Sequence, residues 1–168
     1  FDLILPADYP LPYLQRALGR DRHSATERLI GDRYETVVRL GSTITLLQLQ
    51  LAPSRIRVTL PELPVTGLLA EAEDATTPAL SATIETHKLV IGLLGLDGEA
   101  AAFARLARRL GLARLVAGRA GLRIGQTPSI FDGLLWSIIG QQINLSFACL
   151  LRRRLIELTA PQLPGGLH

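Results

Sequence analysis

The spacing of apolar residues changes along the chain, and this change limits the folds that it can adopt. Residues 55–60 (Arg-Ile-Arg-Val-Thr-Leu) alternate strictly between polar and apolar, which is typical of a strand with one buried face. After residue 80 the apolar residues instead recur every three or four positions, which is the period of a helix. A chain with strands first and helices afterwards is predicted to belong to the α+β class.

The first third of the sequence predicts a small antiparallel sheet with one short helix. Strands are expected at residues 1–6, 34–40, 43–51 and 55–60. The joins between the last three strands are two and three residues long, which permits hairpins but not the crossovers that parallel strands need. A helix is expected at residues 12–18, since a proline suits its first turn and a glycine follows it.

Residues 61–78, which contain three prolines and an acidic patch, predict a loop or a partial strand. Helices are then expected at residues 81–94, ending at Gly95, and between an N-cap at Asp97 and a stop at Gly111. The second of these helices would bury an apolar face at helical spacing, made of Phe103, Leu106, Ala107 and Leu110. A further short helical turn is expected within residues 112–118.

Two longer helices follow a structured loop at residues 121–128. The first is capped by Thr127 or Ser129 and ends at Gly140, and the second is capped by Asn144 or Ser146 and ends near residue 158. Two adjacent apolar stripes predict that the first helix is buried over most of its circumference. The second is expected to turn inward Phe147, Leu150, Leu151 and Leu155.

Charge is distributed unevenly between the two halves of the chain. The whole chain carries 18 basic and 15 acidic residues, a formal net charge of +3. Residues 99–168 hold nine arginines and three acids, so they carry +6 and the first 98 residues carry −3. A basic half indicates a polyanionic partner, most commonly a nucleic acid, although the charge alone fits a solvated basic surface equally well.

Composition and motifs argue against several classes of protein. No apolar run reaches the roughly 18 residues that a membrane helix needs, so we expect no membrane partner. A single cysteine, Cys149, and three scattered histidines lead us to expect neither a disulfide framework nor a metal site. The sequence contains no phosphate-binding or dinucleotide-binding fingerprint, and no small-molecule cofactor is expected. The lack of a starting methionine and of a signal-peptide pattern leads us to expect part of a soluble, cytoplasmic chain.

Two adjacent glutamines at a tight break between two predicted helices are the best candidates for a function. Gln141 and Gln142 directly follow Gly140. An amide side chain is uncharged and can both donate and accept hydrogen bonds, so it suits the gap that remains when a base leaves a duplex. A helix–helix turn with solvated amides is the alternative interpretation.

The sequence around this pair resembles a known family. Gly121-Leu-Arg-Ile, followed by Pro128-x-x-Phe-Asp-x-Leu-x-Trp-x-Ile-Ile-Gly-Gln-Gln-Ile, is similar to the bacterial DNA-3-methyladenine glycosylase II (AlkA-type) family of the helix-hairpin-helix DNA glycosylase superfamily. Residues 26–35 (Thr-Glu-Arg-Leu-Ile-Gly-Asp-Arg-Tyr-Glu) carry a second likeness. The resemblance covers essentially the whole chain and is most specific over residues 121–158.

The resemblance implies a fold and a reaction. The implied fold is a small antiparallel sheet with helices, a TBP-like N-terminal domain at residues 1–95, followed at residues 96–168 by the first helices of an all-α glycosylase domain. The implied reaction is hydrolysis of the N-glycosidic bond of alkylated bases, of the 3-methyladenine type, in double-stranded DNA during base excision repair.

The resemblance also implies roles for particular residues. Gln141 matches a residue that borders the base pocket, and Gln142 matches the wedge that fills the duplex gap. Arg123, Arg152 and Arg153 are candidate phosphate contacts.

The family's catalytic Asp lies after its helix-hairpin-helix, and the sequence stops at His168, before both. We therefore expect no catalytic residue in this chain and no activity from it alone. Uncovered apolar faces would favour self-association, whereas the intact enzyme is expected to be a monomer. The alternatives are a non-enzymatic DNA-binding module that recognises distorted duplex, and a scaffold domain with incidental arginines.

Overall fold

An antiparallel sheet of five strands forms the first part of the protein. The computed structural model describes residues 1–61, 76–119, 121–163 and 165–168. The strands are β1 (Asp2–Ile4), β2 (Glu27–Ile30), β3 (Arg33–Leu40), β4 (Thr43–Ala52) and β5 (Arg55–Thr59). They lie in the order β1-β5-β4-β3-β2, and all neighbouring strands are antiparallel. The α+β class and the predicted hairpins are therefore confirmed.

Strand β2 was not predicted from the spacing of apolar residues. Its sequence, Glu-Arg-Leu-Ile, places two charged residues before two apolar ones and does not alternate. It pairs with β3 from Glu27 opposite Thr36 to Ile30 opposite Arg33. The two-residue turn between them begins at Gly31, whose φ of 62° suits a residue without a side chain. Pairing with β3, rather than its own pattern, thus makes this segment a strand.

Two helices, α1 (Leu11–Leu18) and α2 (Thr76–Leu93), contribute to the core beside the sheet. Alternate residues of β4 and β5 are almost fully buried and meet the last turn of α2 in one cluster that includes Leu47, Leu49, Leu51, Ile56, Val58, Val90 and Leu93. Burying a side chain of this size stabilises the fold by about 1.5–3 kcal/mol. The helix predicted at residues 12–18 is confirmed, with a proline in its first turn and Gly19 at its C-cap.

Helix α2 begins earlier than predicted. Thr76, Thr77 and Pro78 fall in the segment expected to be a loop or partial strand, but they are helical. Residues 62–75, the rest of that segment, lie outside the described residues. The helix ends as predicted, just before Gly95, whose φ is 61°.

Four helices follow: α3 (Ala100–Arg109), α4 (Ala113–Val116), α5 (Ile130–Ile139) and α6 (Leu145–Thr159). Of the alternative caps, Ser129 caps α5 by accepting from the backbone N–H of Asp132, and Asn144 caps α6 by accepting from that of Phe147. The prediction that Asp97 caps α3 is wrong, because its N-cap residue is Glu99. The Asp97 carboxylate instead accepts a hydrogen bond from Gln126 Nε2 at 2.6 Å.

The apolar stripes of the later helices are largely exposed. Ile130 is 84% exposed and Phe131 70%, and no residue of α5 is buried, so the prediction of a helix buried over most of its circumference is wrong. Ala107 of α3 is buried as predicted, but the other buried residues of α3 and α6 lie outside the predicted stripes, namely Ala104, Ala148 and Arg152. Several residues predicted to face inward are exposed: Phe103, Leu106, Leu110, Phe147 and Leu155. Periodicity finds the apolar face of a helix, but only a neighbouring element can bury it. Self-association through these faces stays a prediction.

The predicted loop at residues 121–128 is held closely against the first part of the chain. A Cβ at Gly121 would overlap the backbone oxygen of Asp8, and a Cβ at Gly125 would overlap that of Leu93. The backbone N–H of Gln126 donates to the carbonyl of Gly92 at 2.9 Å. Glycine is therefore needed where two backbones approach each other this closely. The domain boundary after residue 95 stays a prediction.

Candidate nucleic-acid interface

Gln141 and Gln142 lie in the turn between α5 and α6, and both residues are exposed. The turn has defined ends on both sides. The backbone N–H of Gly140 donates to the carbonyl of Trp136 at 2.9 Å, which closes α5. Asn144 Oδ1 accepts from the backbone N–H of Phe147 at 2.9 Å, which opens α6. Two capped helix ends therefore present the pair of amides to solvent.

Gln142 has a left-handed backbone conformation, with a φ of 57°. Among the non-glycine residues that the structure describes, it is the only one with a positive φ. For a residue with a Cβ this conformation costs roughly 1–2 kcal/mol, and glycine adopts it freely. A strained residue that keeps its side chain at an exposed turn is typical of a functional site.

Arg152 is buried, with 5% of its surface exposed, and both terminal nitrogens of its guanidinium have partners within the chain. Its Nη2 donates to Thr26 Oγ1 at 3.1 Å and forms an ion pair with Asp132 Oδ1 at 3.3 Å, and its Nη1 donates to Ser24 Oγ at 3.4 Å. The guanidinium also lies 5.2 Å from the ring centroid of Trp136. This placement makes Arg152 a link between α6, α5 and the segment before β2, and we no longer count it among the candidate phosphate contacts.

Asp132 has more partners than its position in the first turn of α5 suggests. As expected for an acid near a helix N-terminus, it lies at the positive end of the helix dipole. Its Oδ2 accepts from Ser129 Oγ at 2.6 Å, and its Oδ1 pairs with Arg152. Both carboxylate oxygens are thus occupied by neighbouring side chains.

Arg123 lies in the loop against α2 and is half-buried. Its Nη1 donates to the carbonyl of Gly98 at 2.8 Å, and its Nε is buried without a hydrogen-bond partner. These contacts hold the guanidinium beside the backbone that leads into α3. Arg123 remains a candidate phosphate contact, with part of its donor capacity already used.

Arg153 lines a surface groove of about 320 Å³ between the loop after α1 and the first turns of α6. We call it the arginine groove, and its lining residues are Arg20, Asp21, Arg22, His23, Leu145, Ser146, Cys149, Leu150 and Arg153. Arg20 and Arg22 were not predicted as candidate phosphate contacts, because they lie within the first 98 residues, whose net charge is −3. The signal that could have found them is the local run Arg-Asp-Arg-His, which is basic within an acidic half.

A larger cavity of about 560 Å³ lies where α1, the sheet, the loop at residues 121–128 and helices α5 and α6 meet. Tyr9 and Tyr34 form part of its wall, as do Trp136 and Arg152. Tyr9 donates its hydroxyl to the carbonyl of Leu94 at 2.8 Å, and burial raises the pKa of Tyr9 to about 12. Burial, together with the neighbouring charge of Glu27, raises the pKa of Tyr34 well above its usual value.

In the described part of the chain, no three His, Cys, Asp or Glu side chains come together as a metal-binding group. Within the same residues, no helix combines the length and the apolar character needed to cross a membrane. Cys149 is half-buried, and burial raises the pKa of its thiol, which favours a packing role over a reactive one.

The fold of this chain matches that of a solved DNA glycosylase. Over 99% of its length it superimposes on a 3-methyladenine DNA-glycosylase from Archaeoglobus fulgidus, with a TM-score of 0.72. The sequence identity is 14%, so this likeness concerns the fold alone. This chain covers 53% of that structure, or about half of its length.

A sequence relative carries the same designation. Over 74 residues, 44% of this chain, the sequence is 36% identical to a DNA-3-methyladenine glycosylase from Bacillus subtilis. The matched segment covers 24% of that protein. No model of a known protein family matches the sequence. The chain is thus homologous over part of its length to a DNA-3-methyladenine glycosylase and shares the fold of another.

Proposed function

We propose that this chain is the N-terminal portion of an AlkA-type DNA glycosylase, which removes alkylated bases from double-stranded DNA by hydrolysing the N-glycosidic bond. The homology to one 3-methyladenine glycosylase and the fold shared with another support this proposal. In this proposal the catalytic Asp belongs to a part of the protein outside residues 1–168, and the described residues supply binding and base extrusion rather than bond cleavage.

The observation that carries the proposal is the geometry of Gln142. The residue is exposed, lies between two capped helix ends and keeps a strained left-handed backbone. A base that leaves the stack costs a few kcal/mol of unpairing and unstacking. An amide that enters the gap can hydrogen-bond to the orphaned partner base through both its donor and its acceptor. Gln142 therefore acts as the wedge, and Gln141 borders the pocket that receives the base.

The charge of the leaving base reduces the catalytic assistance that the protein must provide. An alkylated purine of this type already carries positive charge, so its departure needs little protonation, and selecting and positioning the base matters more. Asp132 is not offered as the catalytic acid, because Ser129 and Arg152 occupy its oxygens. Arg123 and Arg153 contact phosphates on either side of the extruded nucleotide in this proposal.

The test is base excision by the full-length protein carrying Gln142→Ala. We expect excision of 3-methyladenine from duplex DNA to fall at least about tenfold, which corresponds to about 1.4 kcal/mol of lost transition-state stabilisation. Excision from single-stranded DNA should change much less, because no gap needs to be filled. Gln50→Ala is the matched control, since Gln50 is exposed on β4 and far from the turn in sequence.

Two results would count against the proposal in different ways. Unchanged excision of several lesions by Gln142→Ala would remove the wedge role of this residue. Tight binding of distorted duplex by a wild-type protein that excises no base would favour the alternative of a non-enzymatic DNA-binding module.

A further inference from the structure

The arginine groove joins two segments that are more than 120 residues apart in sequence. One side is the loop at residues 20–23, which follows α1 and leads towards β2. The other side is formed by the first turns of α6 together with Arg153. The groove therefore lies where the sheet part of the chain meets the helix that follows the glutamine pair.

The lining of the groove carries more positive than negative charge. Its lining holds three arginines and one acid, Asp21, which leaves a net charge of +2 with His23 neutral. Asp21 Oδ1 accepts the backbone N–H of His23 at 3.0 Å, so this carboxylate shapes the loop. Within the described residues, neither Arg20 nor Arg22 has an acid within ion-pair distance.

Arg153 adds an unused hydrogen-bond donor. Its Nε is buried and has no hydrogen-bond partner, and Glu157 Oε1 lies 3.8 Å away, which is too far for a hydrogen bond. A buried donor left unpaired is unfavourable, so an acceptor that reached this guanidinium would stabilise the arrangement. The N-terminal end of α6, at Leu145 and Ser146, contributes the positive end of a helix dipole to the same groove.

This chemistry fits the sugar–phosphate backbone of DNA. Arginine binds phosphate with two parallel donors, and several arginines in one groove match the closely spaced charges of a nucleic-acid strand. Leu145 follows Gln142 by three residues, a separation of at most about 11 Å. Successive phosphates of one strand rise by about 3.4 Å each along the duplex. The groove thus lies within reach of phosphates that flank a gap occupied by Gln142.

We propose that the arginine groove binds the phosphates of the DNA strand next to the extruded nucleotide, so that the sheet part of the chain contacts DNA directly. Arg20 and Arg22 supply this contact from the sheet part, and Arg153 supplies it from α6. The inference rests on the proposed function, because it takes duplex DNA as the partner. It adds a binding surface outside the turn that carries the wedge.

The salt dependence of duplex binding tests this inference. The full-length protein and its Arg20→Gln/Arg22→Gln variant are titrated against a lesion-free fluorescent duplex at several salt concentrations. Each lost phosphate contact should reduce the slope of log K against log salt by about 0.9, so the double variant should lose about 1.8. Between about 50 and 200 mM salt, the drop in affinity should then be about tenfold smaller than for the wild type.

The control is Arg39→Gln/Lys88→Gln, which also removes two positive charges. Both residues are exposed and lie outside the groove, so the salt slope should stay at the wild-type value. An unchanged slope in the groove variant, or an equal loss in the control, overturns the inference. If the wild type excises 3-methyladenine while the groove variant keeps its slope, only this inference fails. A wild type that neither binds duplex nor excises bases overturns the proposed function as well.

Discussion

Replacing Arg152 with methionine is expected to destabilise the protein by about 3 kcal/mol. Arg152 is the buried residue that links α6 to Asp132 and Trp136 on α5 and to Ser24 and Thr26 before β2. Methionine is flexible, and its thioether can still pack against the tryptophan ring. The substitution therefore removes the charge and the hydrogen bonds while keeping most of the apolar contact.

The magnitude follows from the geometry of each contact. The hydrogen bond to Thr26 at 3.1 Å contributes about 1.5 kcal/mol, and the contact with Ser24 at 3.4 Å contributes less because it is longer. The ion pair contributes about 1 kcal/mol, since Asp132 is 24% exposed and keeps its bond from Ser129. The cation–π contact adds about 1 kcal/mol. Removing the unpaired buried Nε of Arg152 stabilises the protein by about 1 kcal/mol, which leaves a net loss of about 3 kcal/mol.

Urea unfolding followed by tryptophan fluorescence measures this loss directly, because Trp136 is the single tryptophan of the chain. Arg154→Met is the control: Arg154 is exposed on the same helix, and its loss should change stability by less than about 0.5 kcal/mol. A double-mutant cycle with Asp132→Asn should show a coupling of about 1 kcal/mol. Equal stabilities of the two methionine variants, or no coupling to Asp132, would refute this account of Arg152.

Three further outcomes are expected. Gln142→Gly should raise the free energy of unfolding by about 1 kcal/mol, because glycine adopts a positive φ without strain. Excision from duplex DNA should fall in this variant as it does in Gln142→Ala. A loss of stability would show that the backbone of Gln142 is not strained. Gly121→Ala should lower the free energy of unfolding in urea by about 1–3 kcal/mol, since the added Cβ would overlap the carbonyl oxygen of Asp8. An unchanged stability would mean that the backbones of Gly121 and Asp8 are not in close contact. Because the pKa of Tyr9 is raised in the folded protein, its phenol loses its proton at a lower pH in the unfolded state than in the folded state. The free energy of unfolding should therefore fall between pH 10 and about 12, by up to about 1.4 kcal/mol per pH unit for this group. Tyr9→Phe should flatten that fall, and the same slope with phenylalanine would assign it to another group.

The sheet was predictable because its signals are local. Alternation in residues 55–60 and the short joins before β4 and β5 depend on neighbouring residues, and both were confirmed. Strand β2 was missed because its pairing with β3, rather than its own spacing, defines it. The start of α2 at Thr76 was missed because Pro78 indicated a loop, although proline is tolerated in the first turn of a helix.

The candidate site was only partly predictable. The turn that carries Gln141 and Gln142 was located correctly from Gly140 and the two flanking helices. The left-handed backbone of Gln142 could not be foreseen, because glutamine carries no preference for that region. Arg20 and Arg22 were overlooked because total charge over the first 98 residues conceals a local basic segment.

The three consecutive arginines of α6 show where sequence information ends. Their spacing of about 100° per residue predicts that at most two share a face, and the sequence determines this without any knowledge of the fold. The tertiary structure alone decides that Arg152 turns inward to Asp132 and Trp136, that Arg153 lines the arginine groove and that Arg154 faces solvent. Periodicity is a property of the backbone helix, whereas burial and ion pairing depend on elements that are distant in sequence and meet only when the chain has folded.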